Sequence, residues 1–503
     1  MTPKPTRSDL IVIGAGAAGL SVASGAAQMG ASVTLIEAGE MGGDCLNHGC
    51  VPSKALIAAA ARAHQMRDSG RFGITPVEPQ VNFPAVMDHV RSVISGIAPH
   101  DSQERFEGLG VRVLRTHARF VGPRLIEVAG ERLTARRMVI ATGSRPFVPP
   151  IPGLDTVDYL TNETIFGLDA LPGHLAILGG GPIGAELAQA FRRLGAEVTL
   201  IDSGTILSRE DPQAVALVRE AIKREGVAIR EDTRIARVEG GAGAIHLHPE
   251  TGEVIEATHL LVATGRTAGV DGLGLEAAGI KGDARGIETD SRLRTSDRHV
   301  YAVGDVVANA PSFTHVAGYH AGIVIRQAML GLPARADHSR IPRVTYTSPE
   351  LAQLGPTEAE ARSARRKGGQ SVAVAMAEGG AAGAGPAATT DRRTDVIPTS
   401  YLRYTDNDRA RTELATEGFF KLLIRKGKPH GVTIVGPQAG DLLAPWVQAM
   451  ASGTRLTVIS GLILPYPTLP ELGKRAAGAY LSPKLFDNPW VERVVRLIQR
   501  LLP

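Results

Sequence analysis

Two cysteines occur in the 503-residue chain, Cys45 and Cys50, inside Gly42-Gly43-Asp44-Cys45-Leu46-Asn47-His48-Gly49-Cys50-Val51-Pro52-Ser53-Lys54. A lone close pair in an intracellular chain reads as redox-active or metal-binding rather than as a structural staple. A metal ion needs more ligands, and only His48 and His64 lie near in sequence. No metal site is assigned, and a reversible disulfide is the simpler account. Two unrelated buried thiols are the alternative. The helical pattern after Pro52 places Cys50 near a helix start, which favours its thiolate.

Two copies of one pattern stand around this pair. Leu10 to Ile13 form an apolar strand that runs into Gly14-Ala15-Gly16-Ala17-Ala18-Gly19, an alanine-rich helical stretch and a second strand, Val33 to Ile36, ending on Glu37. The pattern returns as His174 to Leu178, then Gly179-Gly180-Gly181-Pro182-Ile183-Gly184, a helix, and Val198 to Ile201 ending on Asp202. In such a turn the first glycine permits the bend, the second admits a pyrophosphate, and the third lets helix pack on strand. The helix N-terminus then offers unpaired N–H groups to phosphate. Glu37 and Asp202 each lie 23 residues past the first glycine, where a carboxylate accepts from ribose hydroxyls. A single copy could be a glycine-rich turn without ligand; the pair implies two dinucleotides, a bound flavin and a diffusing nicotinamide. Asp202 would repel a 2′-phosphate, and Ser203-Gly204-Thr205 offer no cation, Arg209 being the nearest, so NADH is favoured over NADPH.

Composition bounds the rest. At about 150 residues per domain the length suggests three domains. A hydrophobic fraction of 43% and a charged fraction of 21% fit a globular protein, and the net charge of +4 without a dense basic run argues against nucleic acid. Two thiols cannot build a disulfide scaffold. No apolar run reaches the ~18 residues of a membrane span. Lys4 and Arg7 precede an apolar stretch over residues 10–27, but its glycine spacing fits a nucleotide turn better than a signal peptide. The segment is read as structural and the protein as cytoplasmic.

With these motifs in place, the chain resembles the flavin-dependent pyridine nucleotide–disulfide oxidoreductases, the family of dihydrolipoamide dehydrogenase, glutathione reductase and mercuric reductase, over nearly its whole length. The cysteine segment carries the resemblance. So do Ala141-Thr142-Gly143-Ser144-Arg145-Pro146, Ala263-Thr264-Gly265-Arg266, Tyr301-Ala302-Val303-Gly304-Asp305, and Val344 to Glu350, which resembles the opening of a C-terminal dimerisation domain. The resemblance implies that Cys50 faces the flavin, that Cys45 attacks the acceptor, and that Lys54 lies near flavin N5 paired with Glu186 beside the nicotinamide. It further implies FAD contacts at Gly14, Gly16, Gly19, Glu37, Thr142, Gly143 and Asp305, and nicotinamide contacts at Gly179, Gly181, Gly184, Asp202 and Gly265. A buried lysine is tolerable only with such a partner; two ordinary surface charges are the alternative.

The chain departs from the family near its C-terminus. Disulfide reductases that this chain resembles carry a histidine and a glutamate five residues apart, the histidine taking the proton of the interchange thiol. Here Glu471 is in place and Tyr466 holds the histidine position. A phenol with pKa about 10 is a poor base at neutral pH, so efficient turnover of lipoamide or glutathione is not expected. His48 and His315 are the candidate substitutes. Ser208-Arg209-Glu210-Asp211-Pro212 resembles mercuric reductase, yet no cysteine follows Cys50 and no N-terminal metal-binding module is present in the sequence.

These readings give an α/β fold with two Rossmann-like dinucleotide-binding domains, for FAD and NAD, and a C-terminal α+β dimerisation domain. The expected boundaries are residues 1–150 and 273–331 for the FAD domain, 151–272 for the NAD(P)H domain and 341–482 for the dimerisation domain. The last contains a flexible Gly/Ala-rich insertion at about 363–398. A basic amphipathic tail follows at 483–503, a candidate for peripheral membrane contact or for packing on protein. The family implies a homodimer in which Tyr466 and Glu471 act across the interface. The expected activity is electron transfer from NAD(P)H through FAD to a Cys45–Cys50 disulfide and on to a disulfide or other thiol-reactive acceptor. The alternatives are a flavin reductase of a quinone, oxygen or metal ion, with the cysteines only tuning the flavin, and a slow redox-sensing or membrane-docked flavoprotein.

Overall fold

The computed structural model describes residues 6–241, 243–367 and 398–502, which fall into two units of mixed α/β structure. The first comprises Met1–Thr205 and Gly226–His338, the second Ile206–Glu225 and Ser339–Pro503. Most of the insertion expected at about 363–398 lies outside the described residues.

In the first unit, the strand Thr6–Ile13 lies parallel between Val33–Glu37 and Glu131–Ile140. Leu10 to Ile13 are at most 4% exposed, as expected of a parallel strand covered on both faces. The strand Val300–Ala302 adds in parallel to Glu131–Ile140, bringing Gly304 and Asp305 to the same sheet end as Gly14. This sheet is mixed, since Leu125–Val128 and Ala118–Gly122 extend it antiparallel beyond Glu131–Ile140. The second sheet is parallel throughout, in the order Ala228–Arg230, Glu197–Ile201, His174–Leu178, His259–Val262 and Tyr159–Leu160. Each sheet thus delivers its glycine turn at the carboxyl ends of its strands, where such folds bind ligands.

The second unit is built on an antiparallel sheet, Arg343–Thr345, Glu350–Leu354, Lys428–Gly436, Phe419–Arg425 and Thr399–Arg403. Phe420 and Trp446 pack with ring centroids 5.1 Å apart in its core. The helix Pro212–Arg224 groups with this unit although its sequence position falls within the range read as the NAD(P)H domain. The helix buries Val215, Val218 and Ile222, and ion pairs at the Ser208–Pro212 segment add to its anchoring. Arg343 donates to Glu210 at 2.8 Å, and Lys421 donates to Asp211 at 2.7 Å while also lying 3.3 Å from Glu358. Asp211 simultaneously caps the helix, accepting from the N–H groups of Gln213 and Ala214. Lys421 and Asp211 are both almost wholly buried, so each charge depends on the other.

No described helix is long and apolar enough to cross a membrane. The chain ends in two helices, Glu471–Phe486 and Pro489–Leu501, and the second has no buried residue.

Asp211→Ala is expected to destabilise the C-terminal unit by about 3 kcal/mol or more, because it strands a buried ammonium and removes a cap. Denaturant unfolding of the variant checks this. An unchanged midpoint would mean that Glu358 alone satisfies Lys421.

Candidate active site

The glycine turns build their cradles through contacts that exclude side chains. A Cβ at Gly14, whose φ is +103°, would come 2.4 Å from the Ala141 carbonyl oxygen, and one at Gly179, φ +110°, would come 2.3 Å from that of Ala263. The middle glycines face the other way: nothing lies within 4 Å of a Cβ at Gly181, and only Gly43 Cα, at 3.9 Å, at Gly16. Backbone there is open to a ligand, as a pyrophosphate requires. The two acids repeat the same geometry. Glu37 accepts from the N–H of Ala15 at 2.5 Å and of Gly39 at 2.7 Å. Asp202 accepts from the N–H of Gly180 at 2.6 Å and of Gly204 at 2.8 Å. Each carboxylate is oriented by backbone and keeps lone pairs for hydroxyl groups. Thr142 Oγ1 is buried without a partner in the protein, a hydroxyl left for a bound group. Gly143, with φ +65° and nothing within 4 Å of its Cβ position, follows it. Gly265 closes the second sheet's turn beside Phe147, whose N–H donates to its carbonyl at 2.9 Å.

The cysteine loop is seated on the first cradle. Gly42 N–H donates to Ala15 O at 3.0 Å, and a Cβ on Gly43 would press to 2.7 Å from Gly16 Cα. Cys45 sits in the short helix Gly43–Asn47 and Cys50 opens the helix Cys50–Arg67, so the expected helix-start position is observed. Both are free thiols, Cys45 half-buried and Cys50 exposed. A hydrogen bond between them polarises the pair: Cys45 is pushed far above the usual thiol range, while Cys50 is lowered to about 6. The bond from Cys45 contributes most to the lowering, against partial desolvation, helped by the Thr314 hydroxyl at 3.5 Å and the Lys54 charge. Cys50 is therefore the thiolate and Cys45 the thiol near pH 7.

Lys54, one turn along the same helix, donates to Glu186 Oε2 at 2.7 Å. Glu186 lies on the helix Pro182–Leu194 that follows the second glycine turn, and its side chain is 6% exposed. The two are thus a joined pair and not separate surface charges.

A polar network that sequence reasoning did not assign runs behind the thiols. Arg266 donates to the Ser144 hydroxyl at 2.7 Å, and Ser144 donates to Asp305 at 2.9 Å. Burial raises the Asp305 carboxyl above the usual range, against the Ser144 bond. Arg266 also lies 3.2 Å from Asp44, which accepts from Asn162 at 2.9 Å. Ser144 and Arg266 stand inside the family motifs, and Asp44 adjoins Cys45. Their spacing gave no sign that they meet.

The C-terminal residues belong to the second unit. The Tyr466 hydroxyl is exposed and donates to Asp408 Oδ2 at 2.9 Å, which holds the phenol above the usual tyrosine range. The expected partner, Glu471, instead accepts from the Thr468 N–H at 3.4 Å at the start of its own helix. His315, a candidate substitute base, is exposed and stacks on Phe313 at 5.1 Å. His48 is half-buried, and its carbonyl accepts from Asn162 at 3.3 Å.

Comparison with known proteins agrees with this geometry. Residues 8–321 match the model of the pyridine nucleotide-disulphide oxidoreductases, and residues 341–477 match the dimerisation domain of the same group. A mercuric reductase of Streptomyces lividans is 35% identical over 489 residues, covering 95% of this chain and 97% of that protein. A dihydrolipoyl dehydrogenase of Thermus scotoductus is 36% identical over 486 residues, covering 94% and 97%. Among solved structures, LpdA of Mycobacterium tuberculosis superposes with a TM-score of 0.80 at 26% identity, covering 94% of this chain and 99% of that one. A Cu(II) complex of the HOCl-induced flavoprotein disulfide reductase RclA from Escherichia coli does so at 0.77 and 25%, covering 92% and 98%. The chain belongs to the pyridine nucleotide-disulphide oxidoreductase family, whose members use FAD and NAD(P)H. The two glycine cradles and the unpartnered Thr142 hydroxyl fit those cofactors.

Asp44 tests the electrostatics of the thiol pair, since its negative charge opposes both thiolates. In Asp44→Asn the Cys50 thiolate should form at lower pH than in the parent, read from the pH dependence of alkylation of the reduced protein. Arg266→Gln, which leaves Asp44 unanswered, should move it the other way. Equal profiles in all three would show that the network does not reach the thiols.

Proposed function

We propose that this member of the family works as a cytoplasmic homodimer that carries electrons from NADH to a disulfide or other thiol-reactive acceptor through reversible oxidation of Cys45 and Cys50. Residues 1–150 and 273–331 would serve FAD, 151–272 the nicotinamide and 341–482 the dimer contact. The observation that carries the reading is the juxtaposition of two free thiols, hydrogen-bonded to each other at the start of the helix that also carries Lys54, which is paired with Glu186. FAD, when bound, supplies the two-electron relay between nicotinamide and thiols.

The chain's own residues do the rest. Lys54 places positive charge where the Cys50 thiolate forms, and the buried Glu186 fixes that charge in position. Cys45 sulfur attacks one sulfur of the acceptor, its proton leaving as the acceptor's S–S bond breaks and the departing thiolate takes up a proton. Cys50 thiolate then attacks Cys45 sulfur, closing the Cys45–Cys50 bond and releasing the second thiol. The pair loses two electrons and the acceptor gains two. Asp202, its carboxylate held by the N–H groups of Gly180 and Gly204, would repel a 2′-phosphate and so favours NADH.

A second reading rests on Tyr466. Its hydroxyl is committed to Asp408 and its pKa is raised, so even less of it is phenolate at neutral pH than of a free tyrosine. Acceptors reduced at the flavin without ionisation of Cys45, such as a quinone, oxygen or a metal ion, suit this arrangement better than lipoamide.

Anaerobic titration with NADH should yield a long-wavelength charge-transfer band after two electrons, and Cys45→Ser should abolish disulfide reduction. Bleaching of the flavin without that band, with quinone reduction intact in Cys45→Ser, would replace the first reading by the second. Disulfide reduction should also keep rising with pH through the neutral range, because the raised Cys45 thiol must ionise to attack. With NADPH in place of NADH, kcat/KM should fall by about tenfold or more through repulsion at Asp202.

A further inference from the structure

The helix Pro489–Leu501 is the most strongly divided surface of the described chain. At about 3.6 residues per turn, Trp490, Val494, Ile498 and Leu501 fall in one row, with Val495 and Leu497 widening it. Arg493, Arg496 and Arg500 fall in another, against the single acid Glu492, which lies 3.4 Å from Arg496. An apolar row ordinarily faces a core. This one does not: no residue of the helix is buried, and Trp490 is 69%, Leu497 57% and Leu501 75% exposed. Leu485 and Phe486, just before it, are exposed as well.

We propose that this helix is a docking element for an anionic lipid surface, lying in the interface with its apolar row inserted and its arginines reaching the headgroups. Three features favour that occupant over a second copy of the chain. The match to the family's dimerisation domain ends at residue 477, before the helix begins, so the helix is not part of the shared pairing segment. Its charge is one-sided, three arginines against one glutamate, which complements phosphate headgroups. Pairing with its own copy would instead set two arginine rows beside one seam, with one acid each to answer them. Arginine on a long apolar stem can keep its head in the phosphate layer while the stem follows the inserted face. Tryptophan suits the same depth, having an apolar body and a polar N–H. The inference goes beyond the electron path proposed above and stands without it.

The chain carries its own reporter. Of its two tryptophans, Trp446 is 5% exposed in the C-terminal core and Trp490 lies on the helix. The FAD-loaded full-length protein should co-sediment with vesicles of phosphatidylglycerol mixed into phosphatidylcholine, bind pure phosphatidylcholine more weakly, and release from the mixed vesicles as salt rises. Trp490 emission should shift to the blue on binding, and Trp490→Phe should remove the shift. The triple variant Arg493→Glu, Arg496→Glu, Arg500→Glu should weaken binding by about tenfold or more, as should the double variant Leu497→Glu, Leu501→Glu. Both should keep the parent's NADH oxidation rate in solution. Indifference of the full-length protein to the mixed vesicles overturns the proposal. So does binding that survives both variants. Dissociation of the assembly by Leu497→Glu, Leu501→Glu in vesicle-free sedimentation would assign the face to a second copy and overturn it equally.

Discussion

The ion pair between Lys54 and Glu186 joins the two halves of the chemistry. Lys54 extends from the helix that Cys50 opens, and Glu186 from the helix that the second glycine turn starts. A carboxylate 6% exposed and 2.7 Å away holds the lysine in place. The pair bridges the helices Cys50–Arg67 and Pro182–Leu194, and Arg67 adds a second link between them, donating to the Arg193 carbonyl at 2.6 Å.

Around that pair, small backbone distances set where charge can sit. Gly43 presses on Gly16, so the cysteine loop is fixed to the first dinucleotide turn. Asp44, the next residue, is then held by Asn162 and Arg266, and Arg266 reaches through Ser144 to Asp305. The result is a thiol pair with opposite preferences: a thiolate at Cys50, where lysine and a hydroxyl converge, and a thiol at Cys45. In the second unit, Tyr466 is bound to Asp408, so the phenol acts as a donor held in place.

The second unit obeys a different constraint. Its antiparallel sheet buries Lys421, and a buried ammonium draws Asp211 and Glu358 to it. That requirement, with Arg343 on Glu210 and the buried apolar face of the helix Pro212–Arg224, ties the segment Ile206–Glu225 to a unit distant from it in sequence.

Much of this was legible in the sequence. The duplicated glycine turns with an acid 23 residues on determined two dinucleotide cradles, because only glycine tolerates the carbonyl approaches at Gly14 and Gly179. The cysteine segment placed Cys50 at a helix start, and apolar runs such as Leu10–Ile13 determined buried parallel strands. What the sequence left open were meetings between residues far apart in the chain. Asp44 with Arg266, Tyr466 with Asp408 and Lys421 with Asp211 are separated by tens to hundreds of positions, and no local periodicity encodes such pairings. The helix start after Pro52 already favoured the Cys50 thiolate; the tertiary structure added the donors and charges around it. A pKa follows from the donors and charges that the fold brings within a few ångströms, and Thr314 reaches Cys50 from 264 residues away.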